Sequence, residues 1–330
     1  MDAQRAKVGM IGLRGYGNIV RKGLTRSKRL ELAAIWSRDA ESVRRSQAEL
    51  PAKACDTYEA LLAEPIQAVL IINPNYLHVE YALKAAEAGK AILIEKPMTN
   101  TVAEAKTLIA AFQRRGLLLA VKHLHRFSPD SRKVQELIRT GALGTVLSVE
   151  MYTSHSTSKT FVPDRWKRDP KLCPAAPLTQ LGVHYIDTVM AWLGAPQWVQ
   201  SHHRNVLGLS ANVDCTVTTI GYGDVVTTLH AHYVVPGYSR TAVYGTEGII
   251  IHDDAGLRMK REGEAEFKPV EVGEGNALVN VLDAFGESLL TGKPFETTGD
   301  TSILVVAVAE AAIRSAAEGG RTVTLDEVLA

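Results

Sequence analysis

The first third of the chain alternates short apolar runs with segments of helical periodicity. Apolar runs at 7–11, 30–36, 52–55, 69–72, 91–94 and 117–122 predict six strands. Helical spacing predicts helices that end near Ser27 and helices over 40–50, 58–63, 77–88 and 102–115. This alternation is typical of a doubly wound parallel sheet, which we expect over residues 1–122.

The pattern changes beyond Gly144, where β-branched and alternating segments dominate. Segments 146–154, 198–207, 214–222, 225–233, 240–245 and 248–252 predict strands, and helices are predicted over 129–139, 178–193, 277–290 and 301–318. Residues 123–330 are therefore expected to form an α+β domain with an open mixed or antiparallel sheet. A large sheet with one uncovered face usually pairs with another subunit, so we expect a homodimer or homotetramer through this sheet.

Composition and charge narrow the class of protein. The chain has 330 residues and a formal net charge of +1, which gives no reason to expect a nucleic-acid or membrane partner. A polar start without a signal-peptide core, and the lack of a long apolar run, predict a cytoplasmic protein. The three cysteines have no metal-like spacing, so no metal site is expected.

The first predicted strand leads directly into a glycine-rich turn. Glycine after a strand lets the backbone approach a pyrophosphate, which the N-terminus of the next helix favours. The pattern G-x-G-x-x-G is met at Gly12 and Gly17, but Arg14 interrupts it and Gly15 follows one residue late. The alternative is a tight turn without a ligand. The cofactor-binding candidates here are Gly12, Arg14, Gly15, Tyr16, Gly17 and Asn18.

The end of the second predicted strand bears on the choice of cofactor. An acidic residue there binds the ribose 2′-hydroxyl of NAD, whereas a nearby arginine accommodates the 2′-phosphate of NADP. This chain has Ser37 followed by Arg38, which favours NADP over NAD. Alternatively, Arg38 is only a solvated residue that precedes the next helix.

Residues 69–98 predict a strand–helix–strand unit. Its two strands run parallel, so Asn73-Pro74-Asn75 and Glu95-Lys96-Pro97 follow strands that end on the same edge of the sheet. Ligands of open parallel sheets bind at this carboxyl edge. Lys96 is therefore a candidate for chemistry.

A second candidate site lies on the predicted helix 178–193. Gln180, His184, Asp187 and Thr188 recur every three or four residues and are expected to share one face of an otherwise apolar helix. Such a face either meets water or lines a cleft. The alternative for His184 is a hydrogen-bonded core or interface residue.

Together these segments resemble the glucose–fructose oxidoreductase, inositol dehydrogenase and MocA family (Gfo/Idh/MocA). The segments that carry the resemblance are Val8-Gly9-Met10-Ile11-Gly12, Asn73-Pro74-Asn75-Tyr76-Leu77-His78, Glu95-Lys96-Pro97, Arg126-Phe127-Ser128-Pro129, Trp166-Lys167-Arg168-Asp169-Pro170 and Leu181-Gly182-Val183-His184-Tyr185-Ile186-Asp187. The resemblance implies a Rossmann domain that binds NAD or NADP and a second domain that supplies the substrate site and the oligomer interface. It also implies hydride transfer to or from a secondary alcohol of a sugar, inositol or related polyol.

The resemblance assigns roles to individual residues. Lys96 is expected near the nicotinamide and the reacting hydroxyl, and His184 is expected to be the general base. The residues expected to contact the cofactor here are Asn73, Pro74, Asn75, His78, Glu95 and Lys96. Arg126, Trp166 and Lys167 are candidates for substrate binding; their alternatives are surface or core roles.

Gln180 departs from the common pattern of the family. Relatives carry an aspartate four residues before the histidine, and glutamine cannot take a proton. Gln180 remains a candidate for catalysis and substrate binding, while Asp187 is interpreted as structural. The departure leaves two alternative functions open: a redox-neutral lyase or glycosidase that uses bound NAD, and a non-catalytic cofactor-binding protein.

Overall fold

Ala6–Ile11 forms the strand β1 inside a six-stranded sheet, as its apolar sequence predicts. The computed structural model describes residues 4–49, 51–160 and 165–330; the predicted helix end at Leu50 lies outside them. The further elements up to residue 121 are α1 (Tyr16–Leu24), β2 (Leu30–Trp36), α2 (Ala40–Glu49), β3 (Lys53–Ala54), α3 (Tyr58–Leu62), β4 (Ala68–Ile71), α4 (His78–Glu87), β5 (Ala91–Ile94), α5 (Val102–Gln113) and β6 (Leu119–Val121).

The first sheet confirms the predicted doubly wound topology. Its strands are all parallel in the order β3-β2-β1-β4-β5-β6. The strand order changes direction between β1 and β4, and ligands of such sheets bind at this point. Ile11 pairs with Ile71, Ile71 with Ile94, and Ile94 with Val121, so these strands end level with one another.

The rest of the chain carries a second sheet and the remaining helices. Its elements are α6 (Pro129–Arg139), β7 (Val146–Ser154), α7 (Val183–Leu193), β8 (Trp198–Arg204), β9 (Cys215–Tyr222), β10 (Val225–His232), β11 (Tyr238–Gly245), β12 (Gly248–Asp253), β13 (Gly256–Arg261), β14 (Lys268–Pro269), α8 (Ala277–Thr291), α9 (Gly299–Ala317), β15 (Val323–Thr324) and α10 (Asp326–Leu329). Among the described residues, no helix combines the length and apolarity that a membrane crossing requires.

The second sheet is mixed, as predicted, but it has more strands than the sequence pattern indicated. Its order is β14-β13-β12-β11-β7-β10-β9-β8-β15, and among the described strands only β10 and β7 pair in parallel. Strands β13, β14 and β15 were not predicted, because two of them span two residues and charges interrupt the third. The predicted strand 198–207 ends early at Arg204. The Asp214 carboxylate accepts hydrogen bonds from the backbone N–H groups of Val206 and Leu207, at 2.7 and 2.9 Å, which turns the chain.

The chain forms two compact units, and the first includes a late segment of the sequence. The first unit comprises residues 1–99, 103–127 and 275–303. Helix α8 packs into its core through Val281, Leu282 and Phe285. Asp283 Oδ1 of this helix accepts hydrogen bonds from Ser27 Oγ at 2.6 Å and from Lys28 N at 2.9 Å. These contacts join α8 to the start of β2.

The second unit comprises residues 100–102, 128–274 and 304–330. Strand β10 shows that its sheet has one covered and one open face. Thr227, Leu229 and Ala231 are fully buried, whereas Val226 on the alternate face is 42% exposed. Since successive side chains of a strand point to opposite faces, the covered face carries the core and the other remains accessible within this unit.

His203 on β8 should make this fold sensitive to acid. Burial, followed by the nearby His202, lowers the pKa of His203 to about 4. The unfolded chain therefore binds the proton first, and stability is lost as pH falls from about 6.5 toward 4. The measurement is the unfolding free energy from urea denaturation at pH 7 and at pH 4.5. We expect its decrease between these two pH values to be smaller in His203→Gln than in the wild type, by about 2–3 kcal/mol.

The control is His202→Gln, which changes the exposed neighbour on the same strand. This variant should keep most of the acid sensitivity of the wild type, because burial is the larger cause of the lowered pKa of His203. Equal acid sensitivity of His203→Gln and the wild type would show that His203 does not carry the effect.

Candidate active site

The glycine-rich turn between β1 and α1 has the backbone geometry of a phosphate-binding loop. Gly12 and Gly15 have φ of 81° and 55°. A Cβ on Gly12 would lie 2.3 Å from the carbonyl carbon of Ile72, and one on Gly17 would lie 1.9 Å from Gly12 O. The turn is therefore pressed against the end of β4 and leads into the N-terminus of α1, where anions bind. These features fit a dinucleotide.

Arg14 does not obstruct this turn. Its side chain is 74% exposed, and its Nε lies 3.4 Å from Asp39 Oδ2. An exposed pair of this kind contributes little stability. The guanidinium is directed toward the end of β2, so the broken glycine pattern keeps an open phosphate loop.

The residues after β2 are held by local hydrogen bonds. Ser37 Oγ accepts hydrogen bonds from Asp39 N and from Ser42 Oγ, each at 3.2 Å. Asp39 Oδ2 also accepts a hydrogen bond from Ser42 N at the start of α2, at 3.2 Å. Arg38 is exposed beside them. The carboxylate of Asp39 is thus engaged by a helix end and by Arg14.

Replacing Gly12 with alanine should destabilise the first unit and abolish cofactor binding. The new Cβ would overlap the backbone of Ile72 and would require a left-handed conformation. We expect a loss of about 3 kcal/mol or more in unfolding free energy, measured by urea denaturation. Gly15→Ala is the matched control, since it has positive φ but no atom within 4 Å of the added Cβ, and should cost only about 1 kcal/mol. Similar losses in both variants would contradict the close-packing argument.

His78 joins the two loops that contain the other cofactor candidates. Its buried ring places Nε2 at 3.0 Å from Asn73 O, and Nδ1 at 3.0 Å from Pro97 O. Burial lowers the pKa of His78 despite these carbonyl contacts, which favours a neutral ring. His78 therefore braces the segment after β4 against the segment after Lys96, in addition to any contact with a cofactor.

The 73–77 segment presents polar groups next to this brace. Pro74 O accepts a hydrogen bond from Leu77 N at 2.9 Å, which closes a short turn around the buried Asn75. Asn73 Oδ1 is buried and has no hydrogen-bond partner among residues 4–49, 51–160 and 165–330. A buried acceptor of this kind fits a ligand that donates a hydrogen bond.

A buried lysine that sequence reasoning missed completes this edge of the first sheet. Lys122 follows β6, and its Nζ lies 2.8 Å from Glu95 Oε1 after β5. The same Nζ donates to Tyr16 Oη at 3.3 Å and lies 4.6 Å from the centre of that ring. Glu95 Oε2 accepts a hydrogen bond from Lys96 N at 3.3 Å. The one available signal was the position of Lys122 directly after a predicted strand.

Arg126 also belongs to the first unit. It lies in the short helix Leu124–Phe127, and its N–H donates to His123 O at 3.3 Å. The next residue, Phe127, is buried and stacks on Phe295 with ring centres 5.7 Å apart. Arg126 itself is partly exposed.

In the second unit, Gln180 and His184 lie where two helix types meet. Leu178–Gly182 forms a π-helix that continues into α7, a departure from the predicted uniform α-helix. Such turns occur frequently at functional sites. Gln180 is 8% exposed and His184 is partly exposed. A Cβ on Gly182 would lie 3.0 Å from Leu229 of β10, so this glycine permits close packing on the sheet.

The other two polar residues of this helix have more internal environments. Thr188 donates a hydrogen bond to His184 O at 2.8 Å, a contact within the helix. Asp187 is 1% exposed. Burial and, secondarily, the charge of Asp187 raise the pKa of Tyr222. The four predicted residues therefore differ in accessibility, and His184 is the most accessible of them.

Trp166 and Lys167 lie in a short helix that Asn212 anchors. Lys167 Nζ lies 5.5 Å from the centre of the Trp166 ring. Buried Asn212 donates through Nδ2 to Lys167 O at 2.9 Å and to Cys173 O at 2.6 Å. Since Cys173 precedes the π-helix, this one side chain holds both parts of the candidate substrate site of this unit. Sequence reasoning missed Asn212, which has no motif around it.

His155 is a further polar residue near Lys167 that was not predicted. Its ring stacks on Tyr233 with centres 4.2 Å apart, and Thr157 Oγ1 lies 2.7 Å from its Nδ1. Burial, then the charges of Lys167 and Arg165, lower the pKa of His155. The structure thus groups one set of candidates within the first unit and another within the second.

Two sequence profiles match the chain. The profile of the GFO/IDH/MocA oxidoreductase family with an NAD-binding Rossmann fold matches residues 6–123, and that of the GFO/IDH/MocA C-terminal domain matches residues 131–251. Fold and matches define an NAD(P)-binding oxidoreductase, as the sequence predicted. The chain belongs to the Gfo/Idh/MocA family.

Individual relatives match along nearly the whole chain. The chain is 27% identical to scyllo-inositol 2-dehydrogenase (NADP(+)) IolW of Bacillus subtilis strain 168, with 97% of this chain and 96% of the relative covered. A structure assigned as an NADPH-dependent oxidoreductase from Desulfitobacterium hafniense DCB-2 superposes with a TM-score of 0.94 at 25% identity, covering 99% of each chain. Aldose-aldose oxidoreductase from Caulobacter crescentus, complexed with glycerol, gives a TM-score of 0.89 at 25% identity, covering 97% of this chain and 99% of that one.

Proposed function

We propose that the protein is a dehydrogenase or reductase that transfers hydride between NAD(P) and a secondary alcohol or ketone of a sugar, inositol or related polyol. The observation that carries the proposal is that β1, β4, β5 and β6 end in register at one edge of the first sheet. The glycine turn follows β1 there, Glu95 and then Lys96 follow β5, and Lys122 follows β6. The named activities of IolW and of D-glucoside 3-dehydrogenase from Escherichia coli K12 support the substrate class.

The bound cofactor would supply the hydride acceptor or donor. Gly12, Gly15 and Gly17 would hold its pyrophosphate, and Ser37 with Arg38 would meet its adenosine ribose. The loops braced by His78 would shape the nicotinamide end. Residues 1–122 would thus bind cofactor, and residues 123–330 would bind substrate.

Two residues would act on the substrate hydroxyl. When hydride leaves the carbinol carbon, a proton must also leave the hydroxyl oxygen. A base is therefore needed within hydrogen-bond reach of that oxygen. We assign this role to His184. The ammonium of Lys96 would stabilise the negative charge that develops on the oxygen. Gln180, Trp166, Lys167 and Arg126 would bind other substrate groups, and Gln180 can do so only by hydrogen bonding.

NADP is proposed as the preferred cofactor. Ser37 carries no charge that would repel a 2′-phosphate, and the guanidinium of Arg38 is exposed beside it. Arg14 lies on the same side, paired with Asp39. The name of IolW specifies NADP(+), which agrees with this preference.

The first experiment is fluorescence titration of the purified protein with NADPH and NADH, followed by a sugar and polyol screen at 340 nm. Tighter binding of NADPH and a stoichiometric absorbance change with a polyol would support the proposal. Co-purified cofactor without any net absorbance change would favour a redox-neutral lyase or glycosidase instead. This alternative is considered because Gln180, unlike an aspartate, cannot take a proton. Binding of neither cofactor would overturn the proposed function.

The proposed assembly is a cytoplasmic homodimer or homotetramer. The open face of the second sheet supports it, since Val226 and Tyr238 there are 42% and 41% exposed. Apolar side chains of this size on a broad sheet face favour contact with a second copy. Light scattering at micromolar concentration should give a mass of two or four chains, and a monomer would remove this part of the proposal.

A further inference from the structure

Lys122 is a fully buried cation that makes three contacts with two residues of the first unit. Its ammonium contacts the carboxylate of Glu95, the hydroxyl of Tyr16 and the face of the Tyr16 ring. Ionised side chains are costly to bury unless they are paired. Burial lowers the pKa of Lys122, but Glu95 and Tyr16 outweigh this effect and raise it overall, so the ammonium stays charged.

Lys122 and Glu95 lie at a position along the sheet edge that a bound dinucleotide would reach. The glycine turn follows β1, and the proposed ribose-binding residues follow β2 on one side. A dinucleotide that crosses the switch point extends to the other side, over the ends of β4, β5 and β6. Glu95 follows β5 and Lys122 follows β6, while Tyr16 is the first residue of α1, directly after the glycine turn. The pair therefore lies at the end where the nicotinamide is expected.

The nicotinamide ring changes its charge during the reaction. The oxidised ring carries one positive charge and the reduced ring carries none. A net charge buried nearby would favour one form over the other, because charges interact strongly where water is excluded. Lys122 and Glu95 together have no net charge, so the pair itself penalises neither form.

We propose that the Lys122–Glu95 pair sets the relative affinity of this protein for oxidised and reduced nicotinamide cofactor. This inference rests on the proposed position of the nicotinamide. Lys122 acts as an electrostatic positioning residue, and Tyr16 keeps its ammonium in place through the hydroxyl and the ring. The same pair orients the Lys96 backbone, whose N–H donates to Glu95.

The test is a cycle of charge changes in the full-length protein. Lys122→Met removes the cation and leaves a carboxylate, which should favour the oxidised cofactor; Glu95→Gln leaves the cation and should favour the reduced cofactor. The ratio of the dissociation constants of NADP⁺ and NADPH, measured by calorimetry or fluorescence, should fall about tenfold in the first variant and rise about tenfold in the second. In the double variant the ratio should return to within about twofold of the wild type.

In Lys122→Met the buried Glu95 carboxylate loses its partner and can take up a proton, which would remove its charge. The titrations are therefore made at both pH 7 and pH 9, because the higher pH favours the ionised carboxylate. Lys84→Ala on α4 is the control: it removes an exposed ammonium that pairs with Glu59 on the surface, and should leave the ratio unchanged. If Lys122→Met does not fold, Glu95→Gln and the double variant still carry the test. Equal weakening of both cofactor forms in the single variants would overturn the inference and leave the proposed function standing. Binding of neither form by the wild type would overturn the proposed function itself.

Discussion

Lys96→Ala should lower kcat by about 10³-fold or more while the protein stays folded. The side chain is partly exposed shortly after the end of β5, so its truncation leaves the fully buried core of the first unit unchanged. It would remove the ammonium that we propose stabilises the developing charge on the substrate oxygen. The measurement is kcat from the absorbance change at 340 nm with a polyol substrate, together with circular dichroism for the fold.

The control for this variant is Lys84→Ala on α4. Lys84 is an exposed lysine whose Nζ lies 3.0 Å from Glu59 on the surface, and a pair of this kind contributes little. Its kcat should stay within about twofold of the wild type. Unchanged turnover in Lys96→Ala would remove Lys96 from the mechanism.

His184→Asn should lower kcat/KM for alcohol oxidation by about 10²- to 10⁴-fold and change the pH profile. A general base must be unprotonated, so oxidation by the wild type should fall as pH decreases through the range in which histidine titrates. Asparagine keeps a polar group of similar size but cannot take the proton. The acid limb of the profile should therefore be absent in the variant, measured as kcat/KM between pH 5 and 9.

His252→Asn is the matched control, because the His252 side chain on β12 is 45% exposed and pairs with Asp130 at 3.7 Å. It should keep both the rate and the acid limb. Persistence of the acid limb in His184→Asn together with wild-type activity would assign the base to another group. Lost activity without any change in the profile would indicate a structural role for His184.

Local sequence contained enough to predict the first sheet and its loops. The continuous apolar runs of β4 and β5 predict strands that are buried on both faces of a sheet. The glycines at 12, 15 and 17 predict a turn with positive φ or close backbone contact, which other residues do not tolerate. The parallel pairing of β4 with β5 then places the segments after Ile71 and Ile94 at one edge. The cofactor candidates follow directly from that geometry.

Several residues of the candidate site were beyond sequence reasoning because their partners are distant in the chain. Lys122 contacts Tyr16, 106 residues earlier, and Asn212 anchors Lys167, 45 residues earlier. Neither contact leaves a periodic signal, since each depends on loops that strand pairing brings together. The π-helix at Gln180 was also missed, because its i, i+4 spacing of polar residues is compatible with an ordinary α-helix.

The sequence by itself determined the fold class, the oxidoreductase family and the identity of the groups that can do chemistry, because these depend on periodicity, glycine spacing and residue type. Tertiary structure alone decided which late segment completes the first core, where α8 buries Phe285 against the early strands. It also decided that Arg14 turns outward to Asp39 and that Lys122 is buried against Glu95. Burial and charge pairing are properties of three-dimensional neighbours, and the linear order of residues does not encode them locally.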